Sequence, residues 1–135
     1  WVQSVDRIKI LQRLNDQRPK HLAPLNVCIQ ANLFNEAQKQ GAILELLPEL
    51  LLLALQLPNI KLRGIMVIPP KQDNLELQHE QFAKTSDIYR KLQKDFPQMD
   101  TLSMGMSGDM PAAIAEGSNM VRVGTAIFGA RGKKI

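Results

Sequence analysis

Residues 103–114 read SMGMSGDMPAAI: an apolar stretch closes on glycine, serine and aspartate, and an alanine-rich segment follows at once. Residues 122–129, RVGTAIFG, have a similar character. Strand-to-helix turns of this composition suit anions. Ser107 supplies a hydroxyl, Gly108 lets a ligand approach the backbone, and amides opening a helix point outward at the positive end of its dipole. Gly124 and Thr125 offer two further amides and a second hydroxyl. If the two tips are neighbours, a phosphate monoester fits between them. Each stretch also has a purely architectural reading, with Ser107 as a helix cap near Asp109 and Gly124 as a turn glycine.

Arg122 is more distinctive, being a fixed cation inside an apolar run, two residues before Gly124. By strand alternation it shares a face with Met120 and Gly124. A buried guanidinium requires an acceptor. That acceptor is either an internal carboxylate, such as Asp6 or Asp100, or a ring nitrogen or carboxylate of a bound ligand.

The elements that must position these groups alternate along the chain. Apolar runs predict strands at 1–5, 25–32, 61–67, 100–105 and 119–123. Ile8, Leu11 and Leu14, flanked by Ile10, fall at helical spacing. The run 43–57 reads as a core helix with Pro48 in its first turn. Residues 75–96 carry Leu75, Phe82, Ile88, Tyr89 and Leu92 on a charged background, as a long amphipathic helix does. Residues 110–116 read as a short helix, TAIFGA as one helical turn, and NEAQKQG as a polar connection. Strands alternating with helices, and apolar almost throughout, predict parallel α/β architecture with covered sheet faces. Five strands suit a doubly wound sheet. A closed barrel of eight needs three more.

The 135 residues, 44% of them apolar, are enough for one domain core. The +4 net charge would suit a polyanion, but the cations are scattered and aromatics are only 4%, so nucleic acid is not the expected partner. The run 43–57 is too short and too interrupted to span a membrane, so no membrane role is expected. A lone Cys28 cannot form an intrachain disulfide and, between Val27 and Ile29, reads as buried and inert. His21 and His79 lack acidic or thiol neighbours at ligand spacing, so no metal site is expected. The chain opens on Trp1, and a polypeptide extending further upstream is an expectation.

The block SMGMSGDMPAAIAEGSNMVRVGTAIFGAR resembles the C-terminal signature of the pyridoxal-phosphate homeostasis proteins, the YggS/PROSC family. WVQSVDRIKILQRL, NVCIQANLFNEAQKQG and LRGIMVIPP resemble that family's strands and flanks, in the same order. The resemblance implies a (β/α)8 TIM barrel like the N-terminal domain of alanine racemase. Residues 1–135 would be its C-terminal part, about strands 4 to 8, with strands 1 to 3 supplied by a missing N-terminal segment or a second chain.

It also implies that pyridoxal 5′-phosphate (PLP) is the cofactor. Ser107, Gly124 and Thr125 would hold the phosphate, Gly108 would add a backbone donor, Arg122 would face the pyridine nitrogen, and Met66 would line the ring pocket. Met66 also reads as a plain core methionine. The family's Schiff-base lysine belongs to an Ala-Val-Ser-Lys-like stretch that this sequence lacks, so no catalytic residue is assigned. The implied role is a non-catalytic cytoplasmic carrier and buffer of PLP, with PLP-dependent apo-enzymes as possible recipients. The alternatives are a racemase-like PLP enzyme and a barrel fragment binding another phosphometabolite. A racemase needs a second acid/base residue, and Tyr89, the only tyrosine, sits in a helical pattern that suits packing.

Overall fold

The computed structural model describes residues 1–37 and 40–132. Among them, strands β1 (Val2–Val5), β2 (Leu25–Asn32), β3 (Ala42–Ile43), β4 (Ile60–Val67), β5 (Thr101–Met106) and β6 (Met120–Arg122) form one sheet, every recorded pairing parallel. Helices α1 (Ile8–Gln17), α2 (Leu47–Gln56), α3 (Leu75–Asp95), α4 (Met110–Ala115) and α5 (Thr125–Phe128) fall between or after them.

The strand order is β1-β2-β4-β5-β6, with β3 paired to the far end of β2. A doubly wound sheet reverses direction at a switch point. This one never does, so right-handed crossovers lay its helices along one face, the arrangement of a barrel wall. The doubly wound alternative is therefore set aside.

The five expected strands stand within a residue or two. The segment 43–57 differs from expectation. Ala42 and Ile43 pair with Ala31 and Asn32, a single 3-10 turn follows at Leu44–Leu46, and α2 starts only at Leu47, with Pro48 in its first turn. A proline near the first turn lets α2 begin there because no N–H is needed. The apolar composition upstream concealed the short strand. Gln38 and Lys39, in the expected polar connection, lie outside the described residues.

In α1, Leu11 is fully buried while Ile8 is exposed, and Asn15 turns inward. The Asn15 side-chain oxygen accepts from the Asn59 amide and its carbonyl accepts from Asn59 Nδ2, both at 3.0 Å. These bonds tie the end of α1 to the entrance of β4. In α3 the Asn74 side chain caps the Leu77 amide at 3.0 Å, and Phe82, Thr85, Ser86, Tyr89 and Leu92 form the buried stripe that helical spacing requires.

Val27, Ile29, Ala31, Leu62, Ile65, Val67, Leu102 and Met104 join the helices in one apolar core. The opposite face is more polar. Gln30, Met66, Ser103 and Met120 are register partners across β2, β4, β5 and β6, and so share that face. The sheet curls toward it. β1 and β5 are three strand spacings apart, about 14 Å in a flat sheet, yet Ser103 Oγ donates to Gln3 Oε1 at 2.5 Å. Two such short side chains meet only across a concave surface, giving the wall of a half-barrel.

Two glycines permit this curl. A bulge lies between Ser103 and Met106, where Gly105 takes φ +101° and returns Met106 to the concave side. Gly64 brings β4 against β5. At the N-terminal end of the strands Arg63 clamps Asp100 with two bonds of 2.9 and 2.7 Å and lies 4.5 Å from the Trp1 ring centre. That guanidinium holds the Asp100 carboxyl below its ordinary 3.8.

Candidate functional site

The C-terminal ends of β4, β5 and β6 surround a cleft of about 680 Å³ whose lining includes Ser107, Gly108, Arg122, Gly124 and Thr125. Five of the six residues singled out from sequence meet there. Met66 does not reach it. It is buried in the concave-face row between Gln30 and Ser103, so its side chain packs in the sheet below the cleft.

The two glycine-bearing tips are joined directly. The Ala126 amide donates to Ser107 Oγ at 3.1 Å, so the β5–α4 turn and the start of α5 are held side by side. The hydroxyl proton of Ser107 stays available to an acceptor. Ser107 is not the cap of α4. That position belongs to Asp109, whose Oδ1 accepts from the Met106 amide at 2.7 Å and tightens the turn.

Gly108 and Gly124 have no positive φ, and a Cβ built on either meets nothing within 4 Å. The fold does not demand glycine at either place. Both face open space at the cleft. Gly108→Ala and Gly124→Ala should each shift unfolding free energy by less than about 0.5 kcal/mol, read as unchanged melting curves.

Arg122 reaches across β5. Its Nη1 donates to Ser103 Oγ at 2.7 Å and its Nη2 to the Val67 carbonyl at 3.1 Å. β4–β5 pairing ends at Met66 and Ser103, and the guanidinium bridges the two strands just beyond. Neither Asp6 nor Asp100 is its partner: Asp6 accepts from Arg7 and the Gly41 amide, and Asp100 is held by Arg63. Among the described residues Arg122 makes no salt bridge. Its pKa falls below the ordinary arginine value because burial penalises the charge, with Asp109 opposing that from a distance. A guanidinium has five N–H bonds, and two are used. Arg122 lines the cleft, together with the cations Lys71 and Arg131 and the carboxylates Asp73 and Asp109.

Gln3 and Ser103 were missed in the sequence. Ser103 is fully buried and Gln3 half-buried. The available signal was Ser103 itself, a hydroxyl inside an otherwise apolar strand. Lys71, Asp73, Phe128 and Arg131 also line the cleft.

Other candidates lie elsewhere. Tyr89 is buried and its phenol is pushed up to about 12 by burial, with Asp100 and Cys28 adding to the rise. It is not among the cleft residues and accepts from Gln93 Nε2 at 3.2 Å. Cys28 is buried and pushed up to about 11, mainly by desolvation, which suppresses the reactive thiolate. His79 Nδ1 lies 3.0 Å from Glu116 Oε1, linking α3 to the residue after α4. No group of three potential metal ligands occurs among the described residues, and no described helix is long and apolar enough to cross a membrane.

A family model described as alanine racemase, N-terminal domain, matches residues 1–132. The chain is 54% identical over 131 residues to a pyridoxal phosphate homeostasis protein of Vibrio alginolyticus, covering 97% of this chain and 56% of that one. It is 49% identical to the protein of the same name from Escherichia coli K12, with the same coverages. It thus spans little more than half the length of these curated relatives. Among solved structures it superposes on PLP-bound PipY of Synechococcus elongatus PCC7942 with a TM-score of 0.82 and 35% identity, covering 96% of this chain and 60% of PipY.

Proposed function

The chain belongs to the alanine racemase N-terminal domain family, and on that premise we propose that it is the C-terminal part, about strands 4 to 8, of a single barrel that binds PLP. Its proposed role is cofactor homeostasis, as a non-catalytic carrier and buffer in the cytoplasm. PLP-dependent apo-enzymes would be the recipients. A preceding segment or a second chain would complete the barrel.

The observation that carries this reading is the joined pair of tips with Arg122 beside them. The residues suit the cofactor. Ser107 has a free hydroxyl proton, and Gly108, Gly124 and Thr125 line the same cleft, so the phosphate belongs between the tips. Arg122 belongs against the pyridine nitrogen. PLP supplies an aldehyde that condenses with amines and a ring that withdraws electrons when its nitrogen is protonated. A guanidinium stays protonated and cannot hand the ring a proton as a carboxylic acid would. Arg122 therefore keeps the ring from acting as a full electron sink, which favours storage over catalysis. The buried, hydrogen-bonded Tyr89 outside the cleft agrees with that preference. The relatives' names and the PLP bound to PipY point the same way.

The test is absorbance and borohydride reduction of a longer polypeptide carrying this chain. PLP should develop a visible band, and reduction should fix it to one lysine outside residues 1–135. The 135-residue chain alone should bind PLP weakly, and Gly124→Ala should weaken it further by placing a methyl where the phosphate enters. A colourless, unlabelled longer polypeptide would remove the proposal. Equal binding of sugar phosphates and PLP would favour another phosphometabolite.

A further inference from the structure

Arg122 does not position itself. It is held through Ser103, and Ser103 is in turn oriented by Gln3, three strand spacings away across the concave face. The direction of each bond follows from the donors. Arg122 Nη1 can only donate, so Ser103 Oγ accepts at 2.7 Å. The serine's own proton must then go elsewhere. The 2.5 Å contact with Gln3 Oε1 has the length of an O–H···O bond, not of an amide N–H donating to oxygen. The glutamine oxygen draws that proton away and leaves the serine lone pairs turned to the guanidinium. The Val67 carbonyl fixes the second amino group at 3.1 Å.

All three partners of this chain of bonds are neutral. A carboxylate in their place would neutralise Arg122 and leave the cleft nothing to attract. Neutral acceptors fix the guanidinium's plane, and among the described residues no carboxylate bonds to it, Asp109 acting only from a distance.

We propose that Gln3, acting through Ser103, is a positioning residue that sets Arg122 for a heteroaromatic nitrogen and so makes the site prefer a pyridine-bearing phosphate ester over other phosphate esters. This rests on the reading of the cleft as a PLP site, and adds a specificity relay begun by the first strand. Ordering a half-buried arginine against a ligand costs side-chain entropy. The relay meets that cost before the ligand arrives.

The experiment is equilibrium titration of the chain with pyridoxine 5′-phosphate and with benzyl phosphate. Neither carries an aldehyde, so no lysine enters the result, and the affinity ratio is readable even when both affinities are low. Wild type should prefer the pyridine ring. Gln3→Leu and Ser103→Ala should each lower that preference about tenfold, the worth of a hydrogen bond to a charged group. The double variant should lose no more than either alone, as for members of one relay. Benzyl phosphate affinity should be unchanged throughout. Gln3→Glu, which keeps an acceptor oxygen but brings a carboxylate into the relay, should lower the ratio as well, because it offsets the guanidinium's charge.

A wild-type preference that survives Gln3→Leu overturns the positioning role and leaves the PLP reading standing. Equal losses for both ligands overturn it as well, since a purely structural tie between β1 and β5 would act that way. A wild type with no preference overturns both.

Discussion

Gly64→Ala should cost the chain its sheet. Gly64 pairs with Thr101 where β4 meets β5, and a Cβ added there lies 1.6 Å from the Thr101 carbonyl oxygen and 2.6 Å from its carbon. These are backbone atoms of the neighbouring strand, so no rotamer relieves the collision. The strands must separate, and the ladder from Gly64 to Met66 with its partners goes with them. Overpacking by one methyl ordinarily costs about 1–3 kcal/mol where side chains can adjust. Against backbone the cost should exceed that range and consume much of the roughly 5–15 kcal/mol that holds a domain together. The denaturation midpoint reports it. Gly64→Ala should appear unfolded or largely insoluble, while Gly108→Ala and Gly124→Ala, prepared alongside, melt as wild type does. A Gly64→Ala chain melting with its parent would show that β4 and β5 do not approach as described.

The same loss should reach the cleft. Arg122 spans the two strands by holding Ser103 of β5 and the Val67 carbonyl of β4. Separating them pulls its two anchors apart. Glycine at 64 thus serves the site without touching it, and its cause is visible only in the register of two distant segments.

What was legible in the sequence follows that distinction between local and paired causes. Strand and helix order could be read because burial leaves periodic apolar marks, as in the stripe from Phe82 to Leu92. The turns at Ser107 and Gly124 were legible because glycine and serine closing an apolar run mark a strand end within a few residues. The curl was not, since it depends on which strands are neighbours, and a serine and a glutamine 100 positions apart meet only once the sheet exists. Nor was the partner of Arg122. Charge pairing suggested Asp6 or Asp100, but Arg7 and the Gly41 amide hold the first and Arg63 the second. Met66 was assigned to the ring pocket by the family resemblance, with a plain core methionine as the other reading. Alternation then lays it in the row beneath. The two-residue strand at Ala42 left no periodic mark at all.

Arg122→Met should separate recognition of the ring from recognition of the phosphate. Methionine replaces the stem's volume and removes all five donors. Stability should hold or rise slightly. Burial lowers the arginine's pKa in the folded state, and a base whose pKa falls on folding weakens the fold while it is charged. Removing the charge removes that cost, as replacement of buried ions by apolar groups often does. The phosphate contacts proposed for Ser107, Gly124 and Thr125 should continue, so benzyl phosphate should bind as before. Preference for pyridoxine 5′-phosphate should fall by about a hundredfold, because a charge-assisted hydrogen bond in a partly desolvated site is lost outright. The ligand's ultraviolet spectrum gives an independent reading. A cation beside the ring nitrogen lowers the pH at which that nitrogen takes a proton. In wild type the spectrum of the unprotonated ring should therefore persist to lower pH than in free solution, and Arg122→Met should return the transition toward the free value. A variant that lost phosphate and ring binding together would place the guanidinium on the phosphate instead. The proposed preference for storage over catalysis would then lose its physical basis, since nothing would hold the ring nitrogen free of its proton.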